Sequence, residues 1–151
     1  WEAFADGAFR QTLGPSLQAA WSAAHAGDLE DLITVDHALS KKLDHSSATR
    51  SKRAGAILLK TTRHARYQGV LGHFRDASDA GRSPGHLTTI WAAVGHLFQL
   101  SLANVIAEYL RLEWDIGTRN DLKRQEPSGR LSFNRMTSEL LLGHANEPKA
   151  I

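Results

Sequence analysis

Histidine is the residue type best placed to do chemistry in this 151-residue chain: it occurs at 25, 37, 45, 64, 73, 86, 96 and 144. An imidazole can ligate a metal or change its charge near neutral pH. A metal site on helices sets two His at i and i+4, or Glu and His at i and i+3. No two of these histidines are three or four residues apart, although His25/Asp28 and His73/Asp76 each place a carboxylate three residues on. Gly27 interrupts the first pair. The second supplies two ligands and no third. The histidines therefore read as exposed or hydrogen-bonded side chains, and no metal ligand is assigned. A single exposed His could still be one ligand of a metal shared with a partner.

Nucleophiles and phosphate loops are as sparse. With no cysteine, the chain has no thiolate zinc site, iron–sulfur cluster, disulfide scaffold or cysteine nucleophile; this fits a reducing cytoplasm. Neither a Walker A loop nor a dinucleotide glycine fingerprint occurs. Gly81-Arg82-Ser83-Pro84-Gly85 spells a Gly-x-Ser-x-Gly pattern. A nucleophile elbow needs a preceding strand and a backbone N–H after the serine. No strand precedes this one, and Pro84 has no N–H to offer. No catalytic residue is assigned, and the chain is expected not to be an enzyme. Trp1, Trp21, Trp91 and Trp114 read as packing residues, since Trp21 and Trp91 lie on apolar stripes.

The elements that would position these side chains are helical. Apolar residues fall at i, i+3, i+4 and i+7 between Gly/Pro signals at 14–16, 26–28, 81–85 and 127–129. The stripes are Leu17/Ala20/Trp21/Ala24 and Leu29/Leu32/Ile33/Leu39/Leu43. A third helix over Ser47 to Ala65 turns Ala54, Ile57, Leu58 and Thr61 inward, with the small residues Ser51 and Gly55 one turn apart. Then come Val70/Leu71/Phe74, Leu87/Ile90/Trp91/Val94/Leu97/Phe98, and Leu102/Val105/Ile106/Tyr109/Leu110. A last helix is expected over Arg130 to Leu142. Pro15 suits a first helical turn, Gly27 a helix end, and Asp28 and Ser101 helix caps. The two pieces around Ser101 could instead form one bent helix. No strand pattern appears, so the expected fold is all-α: a compact bundle of about six to eight helices in a single domain over 1–151. The apolar stretch Leu87 to Ala107 is diluted by polar residues and reads as buried helix, not as a membrane span. A start at Trp1 suggests a fragment or a processed chain.

Charge is distributed unevenly. Lys and Arg number 18 and Asp and Glu 16, a formal +2. Between Lys41 and Arg66 the cations Lys41, Lys42, Arg50, Lys52, Arg53, Lys60, Arg63 and Arg66 meet a single acid, Asp44. Such a run is a solvated helix face or a docking face for an acidic partner, protein or nucleic acid. It holds no aromatic residue before Tyr67 on which bases could stack, which ranks nucleic acid second.

Three ordered blocks resemble the urease accessory protein UreF family. Pro15 to Leu29 and the helix around Asp36 look like its helix pair joined by a Gly-Asp-Leu turn. Arg50 to Leu59 is similar to its Ser-x-x-x-Gly-x-x-Leu-Leu helix, through Ser51 and Gly55. Gly85-His86 through Gly95, then Tyr109-Leu110, resembles its Gly-His block and Ala-Tyr-Leu segment. The likeness runs from Leu13 to about Leu112. A Ser-His-Gly motif usual near the family's N-terminus is missing, and the tail from about 113 departs from the family pattern, so the resemblance implies an incomplete UreF-like domain.

The resemblance implies an all-α accessory protein of the cytoplasm without catalysis. Its implied partners are UreD (also called UreH), the GTPase UreG and urease apoprotein, with a homodimer as a further option. Its implied role is to scaffold nickel delivery and regulate the GTPase. It implies no cofactor of the chain's own, the nickel being handled by the partner complex. The candidate partner-binding residues are Ser51, Gly55, Gly85, His86, Arg50 and Arg53. For Ser51 and Gly55, close helix packing competes with that role; for Gly85 and His86, a helix-entry turn does.

Overall fold

A computed structural model describes residues 2–63 and 69–120, with side chains at 3–4, 6–63 and 69–115. Six helices follow a helical lead-in made of Glu2–Phe4 and a π-helical stretch Ala5–Leu13. They are α1 (Gly14–Ala26), α2 (Leu29–Lys42), α3 (His45–Arg63), α4 (Val70–Asp79), α5 (Leu87–Leu97) and α6 (Leu102–Asn120). The described part is all-α, as the periodicity predicts; the helix expected at Arg130 to Leu142 lies outside the described residues.

The boundaries follow local chemistry. Pro15 lies in the first turn of α1, and Gly27 ends that helix in the left-handed conformation at φ 66°. Asp28 caps α2, its side chain accepting from the Asp31 amide at 3.0 Å. Glu30 and Asp31 then sit where the helix dipole favours negative charge, and Lys41 and Lys42 where it favours positive charge. The chain breaks between α5 and α6: Gln99 takes φ 58°, alone among the described non-glycine residues in having positive φ, and the Ser101 hydroxyl accepts from the Asn104 amide. The bent-helix alternative is thereby excluded, because the left-handed residue turns the chain.

Helix α5 is the hub. It packs against α1, α3, α4 and α6, and it is buried on several sides through Leu87, Thr88, Thr89, Ile90, Ala92, Ala93 and Gly95. A helix apolar nearly all round belongs inside a bundle. None of the described helices is long and apolar enough to cross a membrane. The core comprises Phe9, Leu17, Leu32, Leu39, Phe74, Ile90, Val105 and Leu110 with their neighbours. Trp21 and Trp91 are half-buried at its edge, donating through Nε1 to the Leu100 and Val105 carbonyls.

Two stripes differ from expectation. On α3 the buried residues are Gly55, Leu59 and Thr62, whereas Ile57 is 64% exposed and Thr61 faces solvent. Spacing alone favoured Ile57. The close approach at Gly55 sets the rotation of the helix, so that Gly55 and Leu59 face the interior, Ala54 and Leu58 pack at its edge and Ile57 is left outside. On α5, Phe98 is 56% exposed, because the helix ends at Leu97 and the chain turns outward there.

Candidate functional site

Helix α2 carries a fully buried acid, Asp36, on its apolar side between Leu32 and Leu39. A buried carboxylate must have its oxygens satisfied. Asp36 Oδ2 accepts from Ser83 Oγ at 2.6 Å and from the Gly85 amide at 2.7 Å, and Oδ1 accepts from the His86 amide at 2.9 Å. One side chain thus holds the loop that delivers the chain into α5. Gly85 takes φ 79°, a conformation that L side chains resist, and a Cβ there would lie 2.8 Å from Ser78 Oγ.

The inner face of α3 closes this knot. A Cβ at Gly55 would fall 2.1 Å from the Gly85 carbonyl oxygen and 2.9 Å from Ile90 Cδ1. One turn earlier, Ser51 Oγ accepts from the Leu87 amide at 3.2 Å, satisfying a first-turn donor of α5 that has no intrahelical partner. The His86 ring is fully buried and its Nε2 shares a 2.7 Å hydrogen bond with Ser40 Oγ. His86 Nδ1 and Thr89 Oγ1 have no hydrogen-bond partner among the described residues. Burial holds the His86 imidazole below its ordinary pKa; the Asp36 charge works against this and Lys52 adds to it.

This geometry supports structure more than catalysis. Ser40 and His86 make the contact of a nucleophile with its base, but among the described residues no carboxylate orients Nδ1, as the third group of a triad would. Ser83 of the Gly-x-Ser-x-Gly stretch is buried against Asp36 and follows a helix rather than a strand. A second polar knot links α5 to α6. Tyr109 is buried, its hydroxyl donating to Glu113 Oε1 at 2.9 Å and lying 3.1 Å from Thr88 Oγ1. Burial raises the tyrosine well above its ordinary value and raises the Glu113 carboxyl as well. The hydroxyl is therefore interior and bonded, not at an edge.

Other histidines are scattered. His25 and His96 meet edge to face with ring centroids 5.5 Å apart, and Trp21 stacks on His25. The two imidazoles line a pocket of about 410 Å³ together with Gly27, Gly69, Val70 and Gln99. Spacing along one helix could not show this pair, because it is drawn from α1 and α5. Among the described residues no three His, Asp or Glu converge to hold a metal ion. His73 and Asp76 are both exposed on α4, and His37 Nε2 bonds the Arg82 carbonyl at 2.8 Å. His64 and His144 lie outside the described residues.

Of the six residues named from the sequence, Gly55, Gly85 and His86 are buried in the knot and Ser51 is half-buried beside it, while Arg50 and Arg53 face solvent. The structure brings the first four together. It adds Asp36, Ser40 and Ser83, which sequence reasoning did not name as site residues. For Asp36 a signal was present, since it fills the i+4 position of an apolar stripe.

The described fold defines a class: an all-helical protein whose distinctive polar residues lock helices together. The UreF family profile matches residues 6–112, so the chain belongs to the UreF family, whose members are urease accessory proteins. No curated protein and no solved structure matches the chain.

Proposed function

We propose that this protein is a maturation scaffold without catalytic activity of its own, acting in the cytoplasm. In this reading it binds UreD/UreH, UreG and urease apoprotein, regulates the partner GTPase and assists the delivery of nickel to apo-urease. Nickel is cargo handled by the partner complex, and the scaffold needs no cofactor. The chain is read as one helical domain, UreF-like over residues 6–112 and with a divergent tail from about 113.

The observation that carries this reading is the family match over residues 6–112. The buried knot agrees with it. A scaffold must hold a fixed surface, and Asp36, Ser51, Gly55 and His86 fix α2, α3 and α5 relative to one another. The exposed cations of α3, Arg50 and Arg53 among them, supply a face that steers acidic partners.

The test is a pull-down from a urease-producing lysate with the tagged chain as bait and mass spectrometry as readout. The expected result is recovery of UreD/UreH, UreG or urease subunits. A folded bait that recovers none of them rejects the scaffold reading.

A further inference from the structure

Helix α3 presents a second face that the knot does not use. Arg53, Ala56, Ile57 and Lys60 are all exposed. Their i, i+3, i+4, i+7 spacing makes one strip on the side away from Gly55 and Leu59. Ile57, at 64%, is the most exposed of the large apolar side chains described. Arg53 lies one turn before it and Lys60 one turn after. Neither has a carboxylate partner among the described residues, whereas Arg63 on the same helix is held by Asp79. No acid occurs within α3; Asp44, just before its first turn, accepts from the Ser47 amide and hydroxyl.

We infer that the outer strip Arg53–Ile57–Lys60 is a docking surface for an acidic amphipathic helix of a partner protein. Such a helix would place an apolar side chain over Ile57 and carboxylates within reach of Arg53 and Lys60. The apolar centre supplies close contact and the flanking cations supply register and on-rate. A phosphate backbone would use the cations but has nothing to set on Ile57, and the described strip carries no aromatic for a base to stack on. A second copy of this chain is a poor match among the described residues: apart from Ile57 itself, its exposed large apolar side chains, Phe98 and Leu100, lie in the turn between α5 and α6, so none of its described helices offers an apolar side chain flanked by carboxylates. The inference rests on the scaffold reading and adds to it the face used and the chemistry of the partner.

The absence of cysteine makes the test direct. In the full chain, Ile57→Cys introduces a single thiol whose rate of reaction with a maleimide reports cover over the strip; Thr34→Cys, on the exposed side of α2, is the control. The probes are purified UreD/UreH and UreG, a random-sequence duplex DNA, and the chain itself over a concentration series. The expected result is fast labelling of Ile57→Cys alone, slowed about tenfold or more by an accessory protein, with Thr34→Cys unchanged. In parallel, Ile57→Glu should weaken that binding about tenfold or more with an unchanged melting temperature. Arg53→Glu/Lys60→Glu should flatten its salt dependence.

Other outcomes overturn the inference and say why. Binding of an accessory protein with no protection at 57 leaves the scaffold reading standing and removes this face from it. Binding of no accessory protein defeats both. Protection by duplex DNA assigns the strip to nucleic acid. Protection that grows with chain concentration assigns it to a second copy, and protection at high dilution to this chain's own residues.

Discussion

The two sides of α3 are built from the same stretch of sequence and do opposite work. The inner side, Ser51, Gly55, Leu59 and Thr62, is small or apolar and meets α5 so closely that a methyl group at Gly55 would overlap the Gly85 carbonyl. The outer side, Arg53, Ile57 and Lys60, is long, cationic and solvated. Hydrophobicity alone would have assigned Ile57 inward. What turned the helix is steric: two backbones approach only where side chains are small, and the contact with the Asp36-held loop supplies the return for that approach. Burial is thus decided at Gly55 and the leftover apolar residue is displaced to the surface, where it is free to bind.

Breaking the inner side should cost most at Asp36. Asp36→Ala leaves the Ser83 hydroxyl and the Gly85 and His86 amides buried without an acceptor. The expected loss is about 3–5 kcal/mol, read from urea unfolding. Leu59→Ala, at a site only 4% exposed, should cost about 2–4 kcal/mol in the same assay. Gly55→Ala should cost about 2–3 kcal/mol, because backbone rather than a flexible side chain must give way.

His86 gives a smaller effect with a defined sign. Burial depresses its folded pKa, so between that value and the unfolded value near 6.5 the unfolded chain binds more protons. Its contribution is complete above about pH 6.5 and is lost as pH falls through the folded pKa. The melting temperature should decline as the buffer is taken below pH 6.5, and His86→Asn should remove that part of the slope. At the bottom of the scale, Ile57→Ala should change stability by less than about 0.5 kcal/mol. A loss at Ile57 equal to that at Leu59 would erase the contrast between the two faces.

Much of this was legible in the sequence. Gly27, Asp28 and Ser101 act locally, through φ preference and side-chain capping, and sit where their residue types demand. The stripe Leu102, Val105, Ile106, Tyr109 and Leu110 is buried throughout, because a strong apolar stripe has one low-energy orientation. The polar interior was less legible. Asp36 interrupts an apolar face, a pattern that announces a buried acid, but its partners at Ser83, Gly85 and His86 come from a distant loop. The His25–His96 contact likewise joins two helices whose sequence separation carries no signal.

The residues alone determined the helical class, the caps and breaks, the absence of cysteine chemistry and a cation-rich third helix, since each depends on interactions within a few turns or on composition. Only the tertiary structure decided which side of α3 is inside, that Asp36 rather than any histidine organises the polar centre, and that Ile57 stands exposed among cations. Those outcomes depend on how closely two helices can approach, and that distance is set by side chains far apart in the chain.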